Sequence, residues 1–159
     1  MSIDKVFFIF EIIGTVAFAI TGVITAIEKK LDIFGAVVLG TVTAVGGGMV
    51  RDILLGYLPP AAFRHPVYTV TAIATSLAVF IIAYFFGKRI KLHFNVYSQI
   101  INVFDAIGLA VFTVAGINSA AACGFGENSF LSIFVGMMTG VGGGVMRDMM
   151  AGEEPYIFV

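Results

Sequence analysis

Apolar residues run along this chain in five long blocks, near residues 6–27, 33–55, 66–87, 101–122 and 129–151, with short polar stretches between them. A helix needs roughly 20 apolar residues to cross a hydrocarbon core, and every block meets that length. The pattern predicts five membrane-spanning helices in an all-α integral membrane protein. The first block outruns the roughly 7–15 residues of a secretory signal core, and no small-residue cleavage site follows it, so it is expected to stay as a helix. The chain closes on "PYIFV" at 155–159, which reads like the opening of a sixth span. A chain that stops before its fold does is therefore expected.

Composition strengthens the membrane reading. Apolar residues make up 59% of the chain, charged residues 12%, and the mean hydropathy is +1.03. Soluble domains carry about 25% charged residues, so the charges here are too few to coat a soluble surface. The net charge of −1 is uninformative about nucleic acid, but no basic cluster with interleaved aromatics is present, and no nucleic-acid partner is expected. Cys123 is the only cysteine, which excludes a disulfide within one chain.

Lys and Arg favour the cytoplasmic ends of short loops. Lys29 and Lys30 follow the first block, and Lys88, Arg89 and Lys91 follow the third. By parity both loops lie on one side, which should be cytoplasmic. The turn at 123–128 has no Lys or Arg and should be external, with Arg64 a mild exception. The amino terminus is then expected outside.

A repeat runs through the chain. "FEIIGTVAFAITG" (10–22) aligns with "FDAIGLAVFTVAG" (104–116), pairing Phe10, Ile13, Gly14, Phe18 and Gly22 with Phe104, Ile107, Gly108, Phe112 and Gly116. Glu11 falls opposite Asp105. After a two-residue shift, "GGGMVRD" (46–52) aligns with "GGGVMRD" (142–148), and Gly40, Thr43, Gly56 and Pro59 align with Gly136, Thr139, Gly152 and Pro155. The second unit starts three spans after the first. Three is odd, so the units enter the membrane from opposite sides. The first inverted unit is 1–90 with its cytoplasmic loop, and the second is 91–159, ending at the start of a sixth helix. Inverted repeats are common in transporters, with sites near the midplane at the repeat interface.

Glycine inside a helix costs roughly 1 kcal/mol against alanine, so two triplets predict a break or bend in the second and fifth helices. Backbone groups freed in lipid must face protein or water, and freed carbonyls can replace part of a cation's hydration shell. A packing explanation competes. Ala36, Gly40, Ala44 and Gly48 stand four apart, as do Gly136, Gly140 and Gly144, and such small residues let helices approach closely.

Arg51, Asp52, Arg147 and Asp148 lie inside apolar spans, where each charge costs roughly 3 kcal/mol on insertion scales. Fourteen residues from Ile33 to Gly46 rise about 21 Å, which puts the triplet past the midplane of a roughly 30 Å core. Arg51 is then expected in the outer half and Arg147 in the inner half. The Arg residues either snorkel to the interfaces or form a charged constriction at each end of a path, where the Asp residues would attract cations and the Arg residues would pair with them, gate the path, or both. A mobile Arg would make opening voltage-sensitive, since one charge crossing the membrane is worth about 2.3 kcal/mol per 100 mV. Glu11 and Asp105 read as helix-start acids favoured by the helix dipole, or as vestibule acids. His65 and His93 read as solvent-facing loop residues. The triplets do not fit a phosphate-binding loop. With no Ser-His-Asp set and no zinc constellation, neither an enzyme nor a metal site is expected.

The doubled motif in an inverted three-helix repeat resembles the trimeric intracellular cation (TRIC) channel superfamily, and more narrowly its prokaryotic members, including glycine-transporter-type membrane proteins. The resemblance spans essentially the whole chain. It implies seven helices and a homotrimer, with an hourglass pore in each protomer. It implies kinks at the glycine motifs, conduction of monovalent cations, chiefly potassium, and no cofactor beyond permeant potassium or sodium. Onto this sequence it carries pore and hinge roles for Gly46, Gly47, Gly48, Gly142, Gly143 and Gly144, and charged pore or gate roles for Arg51, Asp52, Arg147 and Asp148. It implies a multi-pass protein in the plasma or inner membrane of a prokaryote. Ending at Val159, before a sixth and seventh helix, departs from the family and bears on pore closure and trimer stability.

Two functions follow. A passive cation channel needs a continuous wet path. A carrier for glycine or another small neutral amino acid needs half-helix amino termini aimed at a substrate carboxylate, and a pocket of one solute's size.

Overall fold

A computed structural model describes residues 3–86 and 94–158. Helix α1 runs Ile3–Glu28, α2 Ile33–Leu54, the single turn α3 Ala61–Arg64, α4 Pro66–Phe86, α5 Phe94–Ala120 and α6 Ser129–Met150. A π-type turn at Ala121–Phe125 extends α5, and a 3-10 turn at Tyr156–Phe158 follows α6. Among the described residues there is no strand, and five helices (α1, α2, α4, α5, α6) are long and apolar enough to cross a membrane. The all-α membrane fold expected from the apolar blocks is the fold present. Lys88, Arg89, Lys91 and His93 lie outside the described residues.

The repeat is visible in how the helices begin and end. Asp32 caps α2 by accepting a hydrogen bond from Gly35 N (2.8 Å), and Asn128, its repeat mate, caps α6 by accepting one from Leu131 N (3.1 Å). Gly56 and Gly152 end α2 and α6 at φ +70° and +71°, a left-handed turn that glycine takes without strain. In both turns a backbone N–H five residues on closes back onto the aspartate carbonyl, Tyr57 N to Asp52 O (2.8 Å) and Glu153 N to Asp148 O (2.9 Å).

Packing joins α1 to α2 and α5 to α6 through small residues. A Cβ on Gly22 would lie 2.6 Å from Gly40 Cα, and one on Gly116 would lie 2.8 Å from Gly136 Cα, so neither pair admits a side chain. Helix α4 lies on α1 and α2, with Ala72 and Ser76 fully buried. The two repeats meet along α1–α5 and α2–α6. Phe18, Ala19, Ala44, Ala72, Phe112 and Ala115 form one core, and Val23, Ala26, Ala36 and Leu39 another. Large apolar side chains face outward on every span, such as Phe130 at 80% exposure, as suits a lipid-facing surface.

The expected breaks are not there. Helices α2 and α6 run uninterrupted through Gly46–Gly48 and Gly142–Gly144. The glycines serve a crossing. A Cβ on Gly47 would run into the Thr139 carbonyl oxygen, and a Cβ on Gly143 into the Thr43 carbonyl oxygen. A Cβ on Gly142 would lie 3.1 Å from Gly47 Cα. The two helices thus touch backbone to backbone on the axis between the repeats, and this close contact offsets the helix cost of the glycines.

Candidate functional site

The charged residues fall into two clusters on opposite sides of that crossing. In the first, Arg51 Nε donates to Asp52 Oδ1 at 2.8 Å, and Asp52 Oδ2 accepts from Ala61 N at 2.6 Å. In the second, Arg147 Nε donates to Asp148 Oδ1 at 2.8 Å, and Asp148 Oδ2 accepts from Tyr156 N at 3.1 Å. One aspartate oxygen orients the arginine and the other caps the chain segment that follows. The arginines were expected to pair with these aspartates, and both pairs are present. Asp52 and Asp148 also line the cavities described below, together with two further acids, Glu11 and Asp105.

Neither of those two acids sits at a helix start. Glu11 is inside α1, which begins at Ile3, and Asp105 is inside α5, which begins at Phe94. The helix-dipole reading is corrected accordingly, because the effect fades beyond the first turn. Each acid faces the arginine of its own repeat. Arg147 Nη1 donates to both Asp105 oxygens, at 2.7 and 2.8 Å. Arg51 Nη1 stands 3.9 Å from Glu11 Oε1, and Glu11 Oε2 accepts from the Tyr68 hydroxyl at 2.6 Å.

Each cluster walls a cavity. The first, about 40 Å³, includes Glu11, Thr15, Gly48, Arg51, Tyr68 and Phe112 in its lining. The second, about 460 Å³, includes Phe18, Asp105, Leu109, Gly144, Arg147 and Tyr156. Gly48 and Gly144, the last glycines of the triplets, leave room beside the guanidinium groups, where a Cβ would lie 3.8 Å from Nη2. Gly46, Gly47, Gly142 and Gly143 lie at or beside the crossing. A Cβ on Gly46 would meet Met146 Sδ at 2.5 Å. His65 is exposed at the end of α3.

Two features escaped the sequence reading. Phe18 and Phe112 were matched in the repeat, but their meeting across its axis was not foreseen. Tyr68 gave no signal, since its partner Glu11 is 57 residues away and the repeat offers it no mate within the 159 residues.

A family model described as glycine transporter matches residues 8–84 and 102–159. The chain is 40% identical over 147 residues to a UPF0126 membrane protein of Deinococcus radiodurans, covering 92% of this chain and 64% of that protein. It is 38% identical over 147 residues to the UPF0126 inner membrane protein YadS of Escherichia coli K12, covering 92% and 67%. It therefore spans about two thirds of the length of these relatives. Among solved structures, one described by the structural basis for conductance through TRIC cation channels matches 100% of this chain and 71% of its own, with a TM-score of 0.81 and 39% identity. The TRIC orthologue from Rhodobacter sphaeroides matches 98% and 75%, with a TM-score of 0.85 and 32% identity.

Proposed function

We propose a function for this chain from one premise: it belongs to the TRIC cation channel family, together with the UPF0126 membrane proteins and the proteins that the glycine-transporter model describes. It forms a passive channel for monovalent cations, chiefly potassium with sodium as a second permeant ion. The path runs within each protomer from one charged cavity to the other, past the crossing of α2 and α6. The observation that carries this reading is the inverted duplication itself, which puts an arginine and a cavity-lining acid on each side of one crossing. A two-ended path needs such a group at each end.

The unbroken helices change how the path works. Carbonyls that remain in helical hydrogen bonds are poor replacements for ion hydration, so the ion meets side chains. Glu11 and Asp105 supply the negative charge, Arg51 and Arg147 limit and gate the passage, and Asp52 and Asp148 hold those arginines in place. The glycines act as clearance at the crossing.

The protein works as a homotrimer in the plasma or inner membrane of a prokaryote, with its amino terminus outside. The first cavity then faces outward and the second faces the cytoplasm. No cofactor and no catalytic step enter this reading. The name of the matching family model favours a glycine carrier instead, but α2 and α6 provide no half-helix amino terminus for a substrate carboxylate. Planar bilayers under a potassium gradient decide between the two. Unitary currents reversing near the potassium potential and indifferent to glycine support the channel. Silence in bilayers combined with saturable glycine uptake into liposomes overturns it.

A further inference from the structure

The two cavities share no lining residue. Phe112 is part of the first cavity's wall and Phe18 part of the second's. Their ring centroids are 5.2 Å apart, with the planes tilted by 39°. Both rings are buried, at 3% and 9% exposure. Each ring sits over a glycine of the opposite repeat. A Cβ on Gly108 would collide with the Phe18 ring, and a Cβ on Gly14 would lie 3.2 Å from Phe112 Cε2. Phe18 also closes on the crossing, 3.1 Å from where a Cβ of Gly143 would stand. Two phenyl rings and a backbone-to-backbone helix contact therefore fill the space between two charged cavities.

We propose that Phe18 and Phe112 form the barrier to ion flow, a paired apolar gate on the axis between the repeats. This rests on the channel reading above. A cation in either cavity has acids and arginine-bound carboxylates nearby, but between the cavities it meets the two rings and the packed backbone of the crossing. A constriction lined by carbon excludes water, and an ion stripped of water does not pass. The glycines opposite the rings give them somewhere to pack when closed. The symmetry also gives both rings the same task, so removing either one should thin the barrier from its own side.

The experiment uses potassium flux from proteoliposomes and thiol labelling in intact cells. Phe18→Ala with Phe112→Ala is expected to raise resting potassium flux by about tenfold or more, the scale of a barrier lowered by ~1.4 kcal/mol. The single variants should fall between the double variant and the parent. Phe18→Leu with Phe112→Leu keeps the core apolar and guards against misfolding. It should also raise flux, to a smaller extent. For labelling, Val45→Cys and Val141→Cys, repeat mates in the first and second cavities, are each placed in a Cys123→Ser background. A charged methanethiosulfonate added outside should label only one of them while the rings are present, and both after the alanine substitutions. Unchanged flux together with unchanged labelling, in variants that purify as the parent does, overturns the gate. Labelling that spreads to both cysteines while no variant carries potassium keeps the barrier and overturns the channel reading instead.

Discussion

The two charged clusters share a sequence pattern but not a strength. At the second, Arg147 is clamped on three contacts of 2.8 Å or less, and its side chain is 3% exposed. At the first, Arg51 keeps its aspartate at 2.8 Å but stands 3.9 Å from Glu11, with its side chain 11% exposed. The difference begins in the acids. Asp105 turns both oxygens of a short carboxylate to its arginine, whereas Glu11 shares its carboxylate between Arg51 and the Tyr68 hydroxyl. Duplication put the same charges at both ends, and Tyr68, outside the repeat alignment, adds a hydroxyl at one end alone.

The largest effect that tests this contrast is loss of an arginine. Arg147→Ala would strand Asp105 and leave Asp148 without its guanidinium, and breaking a buried ion pair by removing one partner costs about 3–5 kcal/mol. Arg51→Ala should cost less, about 1–3 kcal/mol, because Glu11 retains Tyr68 and Asp52 retains Ala61 N. Thermal unfolding in detergent measures both, and equal losses would sink the contrast. Voltage dependence should rank the same pair the other way. The looser Arg51 is the one free to move in the field, so Arg51→Ala should flatten the voltage dependence of opening more than Arg147→Ala. A steeper loss in Arg147→Ala would reverse the assignment.

A second test asks where the ends stop differing. The crossing is symmetric, with Gly47 against Thr139 and Gly143 against Thr43. Gly47→Ala and Gly143→Ala should therefore destabilise by similar amounts, about 1–3 kcal/mol as overpacking usually does. A free hinge role would predict little loss of stability from either. Melting temperatures of the two variants separate these outcomes, and a large gap between them would mean that the symmetry at the crossing is not mechanical.

Much of this was legible in the sequence. Block length alone placed α2 and α6 almost to the residue, and the repeat alignment put Glu11 and Asp105 in equivalent positions. The breaks at the glycine triplets were misread for a definable reason. Helix propensity describes a helix in isolation, and it cannot see a second glycine-rich helix lying against the first. The Arg–Asp pairing was legible from two adjacent charges in an apolar span, although neighbours in sequence do not normally face each other on a helix. The long Arg51 side chain folds back onto Asp52 all the same, and the remaining carboxylate oxygen goes to a backbone amide nine residues on. Contacts such as Glu11 with Tyr68 depend on where α4 lands on α1, which no local pattern encodes.

The smallest expected effect bears most directly on the contrast. Tyr68→Phe deletes one hydroxyl and should change stability by about 1 kcal/mol or less, since the loss of a neutral donor to a carboxylate is offset when Glu11 closes on Arg51. The informative quantity is coupling rather than stability. A double-mutant cycle of Glu11→Gln and Arg51→Gln isolates the interaction between those side chains. In the parent it should be weak, as the 3.9 Å separation implies. In a Tyr68→Phe background it should grow towards the value from the matching Asp105→Asn and Arg147→Gln cycle. That convergence would make Tyr68 the cause of the asymmetry. Coupling that stays weak without the hydroxyl would place the cause in the extra methylene of Glu11, and Glu11→Asp would then be the substitution that brings the two ends into line.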